Sequence, residues 1–206
     1  LSTIEVALPD AEASHDPFLA SLGVLYSSKG SLAGRHIFPV ILRNRLVAYE
    51  ARDFTGRLVP KTLALPQGVK IHSYLWNFDN IVPGLPIVVV EGTKDAVAVL
   101  DRGFINTVSS FGAQLTSDQT ILLVSKSPSE VIIAYDADEA GVAGTDKAVT
   151  SLLAWTQVSK MQLPKDTDPW DVSRTVWEEC FEARTRVLVG DRNKNLLRSL
   201  KQEFFS

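Results

Sequence analysis

Two acidic motifs carry the chemical content of this chain: Glu91-Gly92-Thr93-Lys94-Asp95 and Asp136-Ala137-Asp138-Glu139-Ala140-Gly141. Each directly follows an apolar, β-branched run, Ile87-Val88-Val89-Val90 in the first case and Val131-Ile132-Ile133-Ala134-Tyr135 in the second. Such runs read as buried strands, and open α/β sheets bind ligands at the carboxyl ends of their strands. Carboxylates crowded onto one sheet edge repel one another unless a cation neutralises them. The expected chemistry is therefore a divalent-metal site. Mg2+ is the best match, because it takes a few carboxylates together with waters and phosphate oxygens.

The elements that must position these acids follow from hydrophobic patterning. Ile37–Ile41 and Leu46–Ala51 read as two strands joined by a turn at Arg43-Asn44-Arg45, with a short helix before them from Ser14 to Leu22. Gly56, Pro60 and Pro66 suggest further short strands and turns up to about residue 80, and Pro83-Gly84-Leu85-Pro86 marks a boundary. Beyond it strands and helices alternate: a helix over Lys94–Arg102, a strand over Asn106–Ser109, a helix over Ser117–Ser125, a helix over Gly141–Trp155 and a strand over Lys160–Leu163. This is the pattern of a mainly parallel sheet flanked by helices. The loop Pro164–Asp171 brings a third group of acids to the same edge, and amphipathic helices are expected over Ser173–Val189 and Asn193–Phe205. The division expected is a small, basic α+β subdomain over 1–84, a metal-binding α/β domain over 85–172, and C-terminal helices over 173–206.

Composition narrows the partners. The 206 residues carry a formal charge of −3, but unevenly. Between Arg35 and Lys70 seven basic residues stand against two acidic ones, and between Glu130 and Asp171 eight acidic residues stand against three lysines. A basic surface beside an acidic, metal-binding one suits an enzyme that handles a polyanion. A single cysteine, Cys180, excludes an internal disulfide and a multi-cysteine zinc site within these residues, and packing is its expected role. No apolar run approaches the roughly 20 residues of a membrane-spanning helix. No secretory leader is apparent, so a cytoplasmic setting in a bacterium or an infected host is expected. Leu1 in place of an initiating Met suggests a segment of a longer protein. The chain shows no internal repeat.

Other acidic-loop chemistries fit poorly. The Asp136 segment begins like an EF-hand loop, but Ala140 and Lys147 occupy positions five and twelve, and a strand precedes it. A haloacid-dehalogenase-type phosphatase motif would continue to Thr or Val where Ala140 stands. No Walker-type glycine loop is present.

Together, the two motifs resemble the Toprim domain of bacterial-type primases, topoisomerases and certain nucleases. Ser110-Phe111-Gly112-Ala113, followed by Leu115-Thr116 and Gln119, resembles the primase segment after the second strand. Arg35-His36-Ile37-Phe38-Pro39-Val40, Tyr49-Glu50-Ala51-Arg52 and Pro60-Lys61 look like the basic subdomain that separates primases from other Toprim proteins. The resemblance, over about residues 30–172, implies a primase catalytic core that joins ribonucleoside triphosphates on single-stranded DNA during replication, in some proteins beside a helicase. It implies catalytic roles for Glu91, Asp136 and Asp138; metal ligation by Glu91, Asp95, Asp136, Asp138 and Asp168; and nucleic-acid or nucleotide contacts from Arg35, Arg52, Lys61 and Lys70. Two Mg2+ or Mn2+ ions roughly 4 Å apart would activate a ribose hydroxyl and neutralise the leaving pyrophosphate. Gly92 and Gly141 would admit phosphates or form turns.

Two departures stand out: Asp168-Pro169-Trp170 occupies the place of an Asp-Pro-Asp loop, and Ile71–Trp76 lacks the family's lysine, with Lys70 or His72 as substitutes. The alternatives are a Toprim nuclease or topoisomerase fragment, although no tyrosine has a nucleophile's setting, and a non-catalytic module that binds single-stranded DNA or a nucleotide.

Overall fold

Alternating residues of two short strands set the layers of the molecule. In the computed structural model, which describes residues 9–188, Val88, Val90 and Ile132 point into one hydrophobic cluster, while Ile87, Val89, Val131 and Ile133 point into another. Both faces of this sheet are therefore buried, which is why its strands read as continuous apolar runs.

The strands are β6 (Ile87–Val90), β7 (Thr107–Ser109), β8 (Val131–Ile133), β9 (Val158–Lys160) and β10 (Thr185–Val187), in the spatial order β10-β9-β8-β6-β7. The three pairings among β6–β9 are parallel, and β10 lies antiparallel to β9 at the edge. Helices α2 (Thr93–Asp101) and α5 (Arg174–Glu182) supply Val97 and Trp177 to one cluster. On the other face, α3 (Ser117–Ser125) and α4 (Glu139–Leu152) supply Leu123 and Leu152. The chain leaves β6 toward β7 on one side and returns to β8 on the other, so the topological switch point falls between β6 and β8.

Ahead of this lies an antiparallel meander of β1 (Glu12–Ala13), β2 (Leu25–Ser27), β3 (Arg35–Leu42), β4 (Arg45–Arg52) and β5 (Thr62–Leu65), with helix α1 (Pro17–Ser21) after β1. Asp16 caps α1, accepting from Phe18 N and Leu19 N. The β3–β4 turn places Arg43 and Asn44 at positive φ, the conformation a two-residue hairpin requires, and Asp79 accepts both of their backbone N–H groups. Cross-strand pairing sets His36 opposite Arg52 and Phe38 opposite Glu50, so these four side chains share one face. That face packs on the parallel sheet: Phe38 lies edge-on to Trp76 at 5.4 Å and shares a cluster with Val88, Val90 and Ala96.

Three features differ from the sequence reading. The helix expected over Ser173–Val189 ends at Glu182, because Thr185 and Val187 alternate β-branched side chains and pair with β9, closing the sheet edge. The expected strand over Lys160–Leu163 sits two residues earlier, as Met161 and Leu163 are buried where the chain has already left the ladder. Strands β1 and β2 were not foreseen, whereas β5 falls among the further short strands expected before residue 80. The helix expected over Asn193–Phe205 lies outside the described residues. Among the described residues no helix is long and apolar enough to cross a membrane. Cys180 is partly buried against the cluster around Trp177, a packing role.

Candidate active site

Neighbouring strands β6, β8 and β9 each end in an acidic loop, and the three loops meet at one edge. Glu91 follows β6 directly, and its Oε1 accepts the backbone N–H of Asp136 at 3.2 Å. Asp138 caps α4, its Oδ1 accepting Gly141 N–H at 2.7 Å. The Asp168 loop is stitched to the Asp136 loop by Ala137 N–H to Thr167 O (2.9 Å) and Asp166 N–H to Ala137 O (3.2 Å). Asp168 Oδ1 itself accepts Asp171 N–H at 2.8 Å. Asp95, in the first turn of α2, turns back to accept Gly92 N–H at 3.0 Å.

The glycines serve the protein's own atoms. A Cβ on Gly141 would stand 2.1 Å from Asp136 O and 2.8 Å from Glu91 Oε1. One on Gly92 would stand 2.5 Å from Asp95 Oδ2 and 2.9 Å from an Arg52 guanidinium nitrogen. The Ser110–Gln119 segment buttresses the same edge. Gly112 N–H donates to Glu91 O at 3.0 Å, and the buried Gln119 amide donates to Ser110 O and Tyr74 O.

Crowding of like charge is visible in the proton affinities. Burial, followed by the Glu91 carboxylate and then the other acids, pushes Asp136 up to about 8. Glu91 is raised to about 7, first by burial and then by Asp138 and Asp95, against the Asp136 N–H that favours its charged form. Asp95 is raised to about 6 by burial and by Asp168, while Arg52 pulls it down. Asp95 Oδ1 and Asp136 Oδ1 are both buried without a hydrogen-bond partner, a costly state that a cation or a donor would relieve. Among the described residues no three acidic, histidine or cysteine side chains are grouped closely enough to cage an ion alone. An ion here would draw part of its shell from water or phosphate, as Mg2+ does.

The bases foreseen from sequence divide. Arg52 lies beside the acids: its guanidinium sits over Gly92 and 3.8 Å from Glu50 Oε1. Glu50, buried, accepts the Thr93 hydroxyl at 2.5 Å and so ties the antiparallel sheet to the first turn of α2. Burial raises the Glu50 pKa despite the neighbouring Arg52. Lys61 and Lys70 are exposed. Arg35 does not join them: it is 4% exposed and donates to Lys61 O (3.0 Å) and Pro60 O (2.6 Å), holding the loop before β5. Its place in the strand, facing the turn-rich Gly56–Lys61 stretch, makes it a brace for backbone carbonyls. The Glu50–Thr93 contact was missed from sequence, although Glu50 and Arg52 share strand parity, which was a usable signal. Trp170 stands in the third acidic loop. It is 39% exposed, lies against Phe54 at 5.8 Å and has the Lys94 ammonium 4.5 Å from its ring centroid.

The profile of the Toprim-like family matches residues 88–173, which contain all three acidic loops. The DNA primase of Clostridium acetobutylicum is 32% identical over 154 residues, 71% of this chain and 26% of that protein, so the chain spans about a quarter of that relative's length. The Escherichia coli primase catalytic core superposes with a TM-score of 0.65 at 26% identity, covering 90% of this chain and 64% of that one. A DnaG primase catalytic domain solved bound to single-stranded DNA has a TM-score of 0.66 at 23% identity, covering 88% and 65%. The chain thus carries a Toprim-like domain over residues 88–173, and over most of its length it is similar to bacterial DNA primases and their solved catalytic cores.

Proposed function

We propose that this chain is the RNA-polymerising core of a DNA primase, joining ribonucleoside triphosphates into short primers on single-stranded DNA with Mg2+ or Mn2+ as cofactor. The observation that carries this reading is the meeting of Glu91, Asp136 and Asp168 loops at the switch-point edge, with Arg52 of the basic sheet laid against them. Glu91, Asp136 and Asp138 would hold the cation, with Asp95 and Asp168 on the rim. The partnerless Asp95 Oδ1 and Asp136 Oδ1 suit that role. When bound, a divalent cation makes a hydroxyl a better nucleophile and neutralises a leaving pyrophosphate.

The chain's own residues do the remaining work. Arg52, its guanidinium 3.8 Å from Glu50 Oε1, would present positive charge to an incoming phosphate. Lys61 and Lys70 are exposed on the basic side and fit contacts to a template backbone. Arg35 is left out of that set. The solved relative bound to single-stranded DNA supports the same template class here. We assign residues 1–84 to the template-holding subdomain and 85–172 to the metal-binding domain, whose core and sheet edge α5 and β10 of the 173–206 segment complete. The setting proposed is the replication machinery of a bacterial cytoplasm or infected host, where a replicative helicase would be the natural neighbour.

The test is template-dependent incorporation of labelled ribonucleotides on single-stranded DNA with Mg2+ or Mn2+. Glu91→Gln and Asp136→Asn should each lower it at least a hundredfold, the scale expected when a charge-stabilising group is removed (about 10² or more). Undiminished synthesis by either variant refutes the assignment.

A further inference from the structure

Beside the acid edge, a cleft of about 440 Å3 opens between α1, the face of the antiparallel sheet and α2, and Trp170 of the third acidic loop forms one of its walls. Its aromatic lining is continuous: His36 stacks at 4.6 Å from Phe54, and Phe54 lies 5.8 Å from Trp170. The Asp16 and Asp101 carboxylates line the same cleft. Arg102 also reaches it, but its guanidinium is spent on Pro169 O (2.6 Å) and Val172 O (2.5 Å).

The polar groups left to a ligand are mainly acceptors. His36 Nδ1 is buried without a hydrogen-bond partner. Burial holds the imidazole below its ordinary pKa, against the pull of Asp16 and Asp53, which favours the uncharged ring with one accepting and one donating nitrogen. Asp16 uses Oδ1 to cap α1, which leaves its second oxygen. The lining sets two carboxylates against the single Arg102 guanidinium, a net negative charge that disfavours phosphate, so a phosphate group belongs outside. The walls instead suit a flat π-system, and the rim suits an edge that donates hydrogen bonds. Resting on the nucleic-acid reading above, we infer that this cleft takes one unstacked nucleobase with an amino group, guanine above all, whose edge carries adjacent N–H and NH2 donors. Thymine, with one donor between two acceptors, fits worst. Trp170 stands two residues after Asp168, so a strand crossing the acid edge passes the mouth of the cleft. The same base could also arrive as a free nucleoside.

The measurement is fluorescence anisotropy of an end-labelled oligothymidylate of about twelve nucleotides, with and without one central guanine, in EDTA at fixed salt. The guanine should tighten binding about tenfold, the low end of the contribution of one stacked base. His36→Phe, which keeps a ring and removes the acceptor, and Trp170→Ala should each reduce that preference to less than about twofold while leaving the all-thymidine affinity within about twofold. Guanosine that competes away the preference identifies a free nucleoside as the source, and preference without competition identifies the strand. Equal binding of the two oligonucleotides by the wild-type chain overturns the inference, as does an unchanged preference in both variants. Because the assay contains no metal, Glu91→Gln should keep the guanine preference even where primer synthesis is lost. The cleft and the polymerase reading can therefore fail separately.

Discussion

The backbone N–H of Asp136 donates to Glu91 Oε1 across 3.2 Å, joining two motifs 45 residues apart in the chain. One oxygen of Glu91 is thereby fixed by the main chain of the neighbouring loop. The pairing holds two acids together although burial and neighbouring carboxylates raise both of their pKa values.

This crowding predicts that Asp136→Asn stabilises the metal-free protein while removing activity. The amide keeps the shape and discards a desolvated like charge, so the melting temperature in EDTA at pH 8.5 should rise by a few degrees, about 2–4 °C for roughly 1 kcal/mol in a chain of this size. Differential scanning calorimetry reads it directly. A fall in melting temperature would mean that Asp136 is anchored by something other than its carboxylate neighbours.

The same groups set a pH dependence. Folded-state values of about 6 for Asp95, about 7 for Glu91 and about 8 for Asp136 all lie above the ordinary carboxylate range, so the folded protein holds more protons than the unfolded one between about pH 4 and pH 8. Stability contributed by these protons is present at the acid end and is lost as pH rises through the folded values. Urea midpoints in EDTA should therefore decline from about pH 5 to about pH 9. Millimolar Mg2+ should flatten that decline, and identical curves with and without the cation would argue against ion binding at this edge.

Gly141→Ala tests packing against propensity. In an open helix the change would stabilise by up to about 1 kcal/mol. Here the added Cβ would stand 2.1 Å from a backbone oxygen, Asp136 O. We expect a loss of about 2 kcal/mol or more by urea denaturation, together with weaker Mg2+ binding, because the Asp136 loop is what must shift.

Arg35 and Lys61 should separate cleanly. Arg35→Met removes two buried, charge-assisted bonds to Pro60 O and Lys61 O and should cost about 2–3 kcal/mol of stability. Its effect on oligonucleotide affinity below the melting transition should be small. Lys61→Ala should do the reverse, leaving stability within about 0.5 kcal/mol and lowering the salt slope of single-strand binding by about 0.7. A steeper loss of affinity in Arg35→Met than in Lys61→Ala would restore Arg35 to the binding surface.

Much of the site was legible in the chain because its signals are local. A buried parallel strand is a continuous apolar run, so Ile87–Val90 and Val131–Ile133 announced themselves, and the acid after each was placed by position alone. The helix over Ser117–Ser125 was bounded correctly because Thr116 and Gln119 form a reciprocal cap. What the pattern concealed depends on distant partners. Thr185–Val187 becomes a strand only because β9 offers an open edge. Arg35 is indistinguishable in sequence from a phosphate-binding arginine until the loop carbonyls of Pro60 and Lys61 fold over it. Glu50 and Thr93, 43 residues apart, reveal their bond only when the two sheets pack. Trp170 was similarly mute, since its aromatic neighbour Phe54 comes from the turn after β4.

The pair of backbone hydrogen bonds linking Ala137 with Asp166 and Thr167 makes the second and third acidic loops a single mechanical unit. The distance from Asp136 to Asp168 is thus a main-chain dimension, set before any side chain chooses a rotamer. Substituting either aspartate changes what is offered at that spacing and leaves the ruler itself intact.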